Sequence, residues 1–493
     1  MERNFDREQR GNWLSALALA ALPLTLGFGL LQAPSLSTTD GLRSVFVFAL
    51  FVTALCILRV KYYANVHHLH FAVGAMAWWF LIFSETALVR SGITDNLVGI
   101  AMEGNFSHSA TGEAVMWGAC AIVLGVISFS NPRHLEILFQ HPYRWLSVFS
   151  ALTLISVLYA PFPTYSLVWA FKLCVVLFSL AMWAHAVNSI GDMFRFVKVL
   201  HLAFLAQAAA SLLQVLIEPS VFVSSGRLGG FFSPTGSSET GGILLLLALT
   251  LSSLNDEKKW FYRATGSLGA ITMILGGGKT AIVAGVLAVF VYFIVMGKRH
   301  ASVAFLLISI FLAGLAYMLR LPIVVSIQNY QDRNLAGTLS GRTELWSKAV
   351  DAISSAPLLG HGYVSSKFFS LAAEDLSWEA TNMHNSILEV LYNNGIVGLI
   401  PIGLLLLSPM RQLPRAIKRG STGQTRIICA GLVGLFVFSF VNGWFEPFFG
   451  GRPHSKFILF LTVVALSERL GLIVSSSVGS ISRSANSTKD KGM

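Results

Sequence analysis

The chain has 493 residues, of which 54% are hydrophobic and 12% are charged, and its mean hydropathy is +0.66. A soluble domain carries about 25% charged residues, so this composition excludes an ordinary soluble protein. Repeated apolar runs of about 15–20 residues are typical of transmembrane helices and too long for the strands of an outer-membrane barrel. Because a backbone in lipid must satisfy its own hydrogen bonds, we expect an all-α polytopic transmembrane bundle of about 12–14 spans.

The net charge of +11 would suggest a nucleic-acid partner in a soluble protein. In a membrane protein it indicates Lys and Arg in cytoplasmic loops, so no nucleic acid is expected. Cys56, Cys120, Cys174 and Cys429 lie in or beside apolar runs, which favours small buried side chains over disulfides or a metal site. The first apolar run follows the charged segment MERNFDREQR without a convincing cleavage site, which predicts a signal anchor.

The predicted spans, in chain order, are Trp13–Leu31, Val45–Leu58, Phe71–Val89, Ala114–Phe129, Leu146–Ala160, Leu167–Ala184, Leu202–Ile217, Gly241–Leu254, Thr265–Leu275, Ala281–Met296, Val303–Leu319, Ile387–Leu407, Ile427–Val441 and Phe457–Val474. Thr265–Leu275 is short, but without it the basic segment Lys298–His300 would move to the outer side. With both termini in the cytoplasm, the cytoplasmic segments hold roughly twice as many Lys and Arg residues as the outer segments.

This topology divides the chain into N-terminal helices (1–217), central helices with outer Arg/Lys loops (218–319), a large periplasmic loop (320–386), C-terminal helices (387–475) and a disordered cytoplasmic tail (476–493). The large loop is expected to be partly helical. Apolar residues recur at helical spacing from Thr343 to Ile353, which predicts an amphipathic helix at the membrane interface. A polar loop of this length is usually functional or disordered.

Polar groups that could carry chemistry gather on the predicted outer side of the membrane. They are Arg227, Lys279, Arg342, His361, His384, Glu446, Arg452 and His454. Cationic side chains that converge on one side of a membrane form an anion site, and lipid phosphates are the abundant anions there.

Five short motifs in these segments resemble the O-antigen ligase and polymerase superfamily of bacterial integral-membrane glycosyltransferases. They are RLGGFFSPTG from Arg227, GGGKTA around Lys279, GRTELW at Gly341–Trp346, PLLGHG at Pro357–Gly362 and HNSILEVLYNNGIVGL from His384. The resemblance implies a polyprenyl-pyrophosphate-linked oligosaccharide as donor and a glycan or lipid A–core as acceptor. It also implies an inverting transfer that needs no metal or other cofactor. A chain-length regulator is a candidate partner, besides membrane lipid.

By this resemblance His384 is the candidate base, and Arg227 a pyrophosphate ligand beside Lys279 and Arg342. Arg and Lys stabilise the negative charge of a leaving pyrophosphate, and His accepts a proton near neutral pH. His361, Glu446 and Arg452 are candidates for the acceptor side. Structural roles compete with each assignment: an interfacial anchor for Arg227, a turn at Lys279, a helix cap at His384–Asn385 and a structural His361 between glycines.

For Arg342 the structural alternative is to cap its own helix or to form a salt bridge within it, through Glu344 or Asp351. Lys279 stands where ligases of the superfamily tend to have Arg, and a Lys there favours the exopolysaccharide-polymerase branch.

The sequence therefore predicts a multi-pass protein of the bacterial inner membrane with a periplasmic active site. It would polymerise O-antigen or exopolysaccharide repeat units. The alternatives are an O-antigen ligase that transfers the glycan to lipid A–core, transfer onto protein, and a non-catalytic scaffold. A polysaccharide transporter or flippase is a further alternative, although no internal repeat is evident and the polar groups gather at one face.

Overall fold

A computed structural model describes residues 136–217, 227–228, 234–255, 257–318, 342–369, 383–419 and 423–489. The first four predicted spans, the predicted signal anchor, Cys56 and Cys120 lie outside the described residues. So do residue 319, residues 320–341 and 370–382 of the predicted large loop, and the last four residues of the chain.

The described residues form eleven α-helices and one short 3₁₀ helix, Ser365–Phe368, and they contain no strand. The α-helices are α1 (Tyr143–Ser156), α2 (Pro163–Ala186), α3 (Ile190–Ile217), α4 (Pro234–Leu254), α5 (Lys259–Gly276), α6 (Lys279–Val295), α7 (Arg299–Met318), α8 (Arg342–Ser355), α9 (Ser386–Arg419), α10 (Gly423–Gly443) and α11 (Ser455–Lys489). The last helix continues into the predicted tail, 476–493.

Six of these helices, α2, α3, α4, α9, α10 and α11, are long and apolar enough to cross a membrane. The helices α6 and α7 are shorter but also apolar. The predicted all-α polytopic bundle is therefore confirmed. The most apolar stretches of α11 and α4 are 78% and 72% buried, so these two helices lie near the centre of the bundle.

Several helix ends meet at one end of the bundle, which we call the polar end. The ends of α5 and α10 and the beginnings of α4, α6, α8, α9 and α11 lie there, joined by hydrogen bonds and ion pairs. The opposite end contains the turn between α2 and α3, which Arg469 of α11 holds through hydrogen bonds to the Val187 carbonyl and to Asn188.

The helices α4 and α5 cross at two glycines. A Cβ atom on Gly241 would lie 2.5 Å from the carbonyl oxygen of Gly269, and one on Gly269 would lie 2.7 Å from that of Gly241. Such close contact of two backbones needs glycine at the crossing, as is common between membrane helices. The short predicted span Thr265–Leu275 is thus part of an 18-residue helix, α5, that packs along α4.

The helix α9 is broken at Gly395, and the PLLGHG segment fills the break. Gly395 has φ 61° and ψ −164°, a conformation that is essentially restricted to glycine. The amides of His361 and Gly362 donate to the Tyr392 and Asn393 carbonyls, while the amides of Ile396 and Val397 donate to the carbonyls of Pro357 and Leu358. Two motifs more than 30 residues apart therefore complete one backbone hydrogen-bond network, as a broken membrane helix requires.

Replacing Gly395 with Ala should destabilise the protein, because the new Cβ atom would lie 2.2 Å from the Leu358 carbonyl oxygen. We expect a loss of at least about 2 kcal/mol from backbone strain and this overlap. The measurement is thermal unfolding of the purified protein in detergent. Gly403→Ala in the same helix is the matched control, since no atom lies within 4 Å of its Cβ position. Equal midpoints for the two variants would contradict the assigned role of the break.

Candidate functional site

The centre of the polar end is the carboxylate of Glu446, which binds two of the predicted site residues. His384 Nδ1 lies 3.1 Å from Glu446 Oε2, and Arg342 Nη2 lies 2.7 Å from Glu446 Oε1. The Glu446 side chain is 10% exposed, whereas those of Arg342 and His384 are 19% and 22% exposed. The cluster is thus partly open to the surroundings while its carboxylate is buried.

The charged groups around Glu446 keep its carboxylate ionised. Burial alone would raise the pKa of Glu446, but the hydrogen bond from His384 and the charges of His384, Arg342 and Lys456 outweigh it and lower the pKa. An ionised carboxylate can only accept a hydrogen bond, so the proton lies on Nδ1 of His384. In the neutral imidazole the lone pair that can accept a proton is then on Nε2.

The position of His384 is fixed by the residues that follow it. His384 itself adopts the left-handed conformation, with φ 47°. The Asn385 side chain caps α9 by accepting hydrogen bonds from the amides of Ile387 and Leu388, and it donates one to the Trp444 carbonyl. The helix cap expected at His384–Asn385 is therefore made by Asn385. The His384 side chain takes no part in the cap and contacts Glu446 instead.

Ser386 joins the beginning of α9 to the loop that carries Glu446. Its hydroxyl donates to the Glu446 carbonyl and accepts hydrogen bonds from the amides of Phe448 and Phe449. All of these atoms belong to buried residues, so the hydrogen bonds are shielded from solvent. The loop and the helix are therefore held as one unit, and Glu446 keeps a fixed position relative to His384.

Arg342 reaches Glu446 because it begins the predicted amphipathic helix. That helix is present as α8, and Leu345 and Ala349 on its apolar face are buried beside Met383. Trp346 Nε1 donates to the Met383 carbonyl, one residue before His384. The ion pair observed for Arg342 is thus with Glu446, in contrast to the alternative of a salt bridge within its own helix, where Glu344 lies 4.0 Å from Lys348.

A second group of cations lies at the turn between α5 and α6. Arg227 Nε donates to the Gly276 carbonyl, and the neighbouring Leu228 amide donates to the Leu275 carbonyl. Lys279 begins α6, three residues after Gly276, and partial burial and then the charge of Arg227 lower its pKa. Arg227 and Lys279 are therefore neighbours, as their predicted common role requires.

The start of α4 links the two groups. The Ser238 hydroxyl donates to the Met273 carbonyl, 2.6 Å away, at the end of α5, and it also approaches the Gly278 carbonyl. The next residue, Glu239, is fully buried and forms an ion pair with Lys456 at the beginning of α11. The charges of Glu446 and Arg342 also act on Glu239. Sequence reasoning missed both Glu239 and Lys456. The available signal in the sequence was that each is a polar residue at the end of an apolar run.

Two of the predicted histidines have structural contacts. His454 Nε2 donates to the Pro447 carbonyl, and Nδ1 accepts from the Phe457 amide at the start of α11. Burial, and then the nearby charges of Lys456 and Arg452, lower the pKa of His454 to about 3, so it is neutral near pH 7. His361 stacks on Tyr392 with ring centroids 4.4 Å apart, within the break of α9. These contacts support the structural alternative for His361.

Arg452 lies apart from the Glu446 carboxylate, over an aromatic ring. Its guanidinium carbon is 5.6 Å from the centroid of Trp169, whose ring also has Lys172 Nζ at 4.0 Å. The buried Glu389 of α9 accepts a hydrogen bond from Ser366, and the charges of Lys367, Arg452 and His384 act on it. Arg452 therefore lies beside a second polar group, that of Glu389 in the first turn of α9.

Comparisons with known proteins give a matching family model and two similar curated proteins. The family model described as O-antigen ligase matches residues 264–403, which include Lys279, Arg342, His361 and His384 but neither Arg227 nor Glu446. The exopolysaccharide production protein ExoQ of Rhizobium meliloti is 27% identical over 114 residues, covering 21% of this chain and 26% of that protein.

An uncharacterized protein of Haemophilus influenzae is 28% identical over 116 residues, covering 22% of this chain and 28% of that protein. The chain thus spans about a quarter of the length of the curated relatives it matches. These similarities confirm the resemblance to the O-antigen ligase and polymerase superfamily, and the family model places it in residues 264–403. The long apolar helices indicate an integral membrane protein.

Replacing Glu446 with Gln should destabilise the protein at pH 7, because it leaves Arg342 and His384 beside a neutral amide in a buried site. We expect a loss of about 3 kcal/mol. Since the folded-state pKa of Glu446 lies below its ordinary value, 4.5, its contribution is complete above that pH and is lost as pH falls through the folded-state pKa.

The measurement is the midpoint of thermal unfolding in detergent between about pH 5 and about pH 3, the range that brackets the ordinary pKa of a glutamate. The gap between wild type and Glu446→Gln should narrow at the acid end of this range. Glu344→Gln is the control, because its carboxylate is exposed and its pair with Lys348 contributes about 0.5 kcal/mol or less. A gap that widened on acidification would contradict the assignment of an ionised Glu446.

Proposed function

We propose that this chain is a metal-independent, inverting membrane glycosyltransferase that extends polyprenyl-pyrophosphate-linked glycans by polymerising O-antigen or exopolysaccharide repeat units. The observation that carries the proposal is the His384–Glu446–Arg342 cluster, a base oriented by a carboxylate and accompanied by a guanidinium, at the same end of the bundle as Arg227 and Lys279. The predicted topology puts this end on the periplasmic face of the bacterial inner membrane.

The reaction needs a base on the acceptor side. The acceptor hydroxyl oxygen attacks the anomeric carbon of the donor glycan while its proton passes to Nε2 of His384. Glu446 accepts the Nδ1 hydrogen bond, which orients the ring and stabilises the imidazolium that forms. The carboxylate is itself held by Arg342, so its geometry is set before substrate binds.

The reaction also needs cations on the donor side. As the new bond forms, the bond between the anomeric carbon and the pyrophosphate oxygen breaks, and the polyprenyl pyrophosphate leaves with the electron pair. Arg227 and Lys279, at the turn between α5 and α6, are placed to bind its oxygens, with Arg342 nearer to the base. Fixed cations of this kind lower the barrier by stabilising the charge that develops on the leaving group.

Ligase activity is the second candidate, and the description of the matching family model favours it. A ligase would use the same donor site and base but would take lipid A–core as acceptor. The name of the Rhizobium meliloti relative, an exopolysaccharide production protein, and the Lys at position 279 support the polymerase instead.

The variants His384→Ala and Arg227→Ala should abolish long-chain surface polysaccharide in cells while the protein remains inserted in the membrane. Loss of a general base reduces the rate by about 10²–10⁴-fold, which is enough to remove long chains. Gel analysis of surface glycans and immunoblots of membrane fractions are the measurements. Lys348→Ala, which removes a cation from the surface of α8, is the control and should retain long chains. Normal chains in both site variants would refute the assignment.

The purified protein should convert a polyprenyl-pyrophosphate oligosaccharide into a ladder of longer lipid-linked products without any other acceptor. Each cycle then joins two donor molecules and releases one polyprenyl pyrophosphate. Products formed only when lipid A–core is added would establish the ligase instead. Movement of unchanged donor across a proteoliposome membrane, without new glycosidic bonds, would indicate a transporter.

A further inference from the structure

The ion pair between Glu239 and Lys456 connects the two central helices at the polar end. Glu239 is fully buried in the first turns of α4, and Lys456 is the second residue of α11 with a side chain 22% exposed. Apart from the Lys456 ammonium, no hydrogen-bond donor reaches either Glu239 oxygen in the part of the chain that the structure describes. This carboxylate therefore depends on Lys456 for its compensation.

Such a pair is a poor way to join two membrane helices. Moving two charges out of water costs several kcal/mol per ion, and well-packed apolar residues often stabilise a site as well or better. Among the described residues, no second hydrogen-bond donor offsets that cost at Glu239. The presence of Glu239 at the centre of the bundle is therefore better explained if the Lys456 ammonium that it holds has a function of its own.

The location of Lys456 indicates that function. Its ammonium pairs with Glu239 at the start of α4, and its charge also acts on Glu446 of the base cluster. Ser238, the neighbour of Glu239, binds the turn that carries Lys279. Lys456 thus links the cluster of His384 and Arg342 to the pair of Arg227 and Lys279.

We propose that Lys456 is a further pyrophosphate-binding residue, and that Glu239 is a positioning residue that holds its ammonium at the site. The inference rests on the function proposed above and deepens it. The proposed donor site then contains four cations, Arg227, Lys279, Arg342 and Lys456, and two carboxylates, Glu446 paired with Arg342 and Glu239 paired with Lys456. The excess of positive charge matches a doubly negative pyrophosphate diester. The partial exposure of Lys456 lets its ammonium donate to a phosphate oxygen while it stays beside Glu239.

Binding of inorganic pyrophosphate to the full-length protein in detergent tests this without turnover. The measurement is the rise of the thermal-unfolding midpoint with pyrophosphate concentration, from which an affinity follows. We expect Lys456→Ala to bind at least about tenfold more weakly than wild type, and Lys456→Arg to recover most of the affinity. Lys348→Ala should bind as wild type does, because Lys348 pairs with Glu344 on the outer side of α8 and belongs to neither group of site residues.

The double variant Glu239→Leu with Lys456→Met separates a binding role from a purely structural one. Replacing both charges with apolar side chains of similar size should keep the unfolding midpoint without ligand close to that of wild type. Pyrophosphate binding should nevertheless fall about tenfold or more, as in Lys456→Ala. If this double variant binds pyrophosphate with wild-type affinity, the pair is only structural and the inference is overturned.

Arg227→Ala distinguishes the failure of this inference from that of the proposed function. If Arg227→Ala weakens pyrophosphate binding and Lys456→Ala does not, the inference is wrong and the proposed donor site stands. If wild type binds no pyrophosphate at all, the proposed donor site and the role of Lys456 are both wrong.

Discussion

The buried carboxylate of Glu446 is the constraint on which the rest of the polar end depends. A carboxylate at that depth stays ionised only when cationic or hydrogen-bonding partners offset its desolvation. Arg342 supplies one of those partners from the beginning of α8, and His384 supplies the other from the segment just before α9. Through this carboxylate, the amphipathic helix α8, the beginning of α9 and the loop before α11 form one unit. Loss of Arg342, His384 or Glu446 would leave the remaining charged groups buried with less compensation.

The backbone of α9 imposes a second requirement of the same kind. A helix that breaks within a membrane protein exposes amide and carbonyl groups that need partners. The PLLGHG segment supplies them, and Gly395 makes the close approach feasible. The segment thus completes a helix whose first residues carry the site. His361 belongs to this joint, where its ring stacks on Tyr392.

Sequence reasoning predicted the helical bundle and most of the residues at its polar end, and the reasons are local. Apolar runs of spanning length, breaks rich in polar residues and helical spacing around Leu345 can all be read over short windows. The partners of the charged side chains could not be predicted from short windows of sequence. Arg342 had acidic neighbours in its own helix, but it contacts Glu446 more than 100 residues away. Such a choice depends on how the helices pack.

The sequence by itself determined that the chain is a membrane protein and where apolar helices lie among the described residues, because hydropathy and helical periodicity are properties of short stretches. It also showed that cations and histidines gather between the apolar runs. Only the tertiary structure decided which of these groups share a site. It brought Glu446 to His384, separated His454 as a helix cap, and revealed the buried pair of Glu239 and Lys456. Contacts between residues far apart in the chain follow from the packing of whole helices, which no short stretch of sequence encodes.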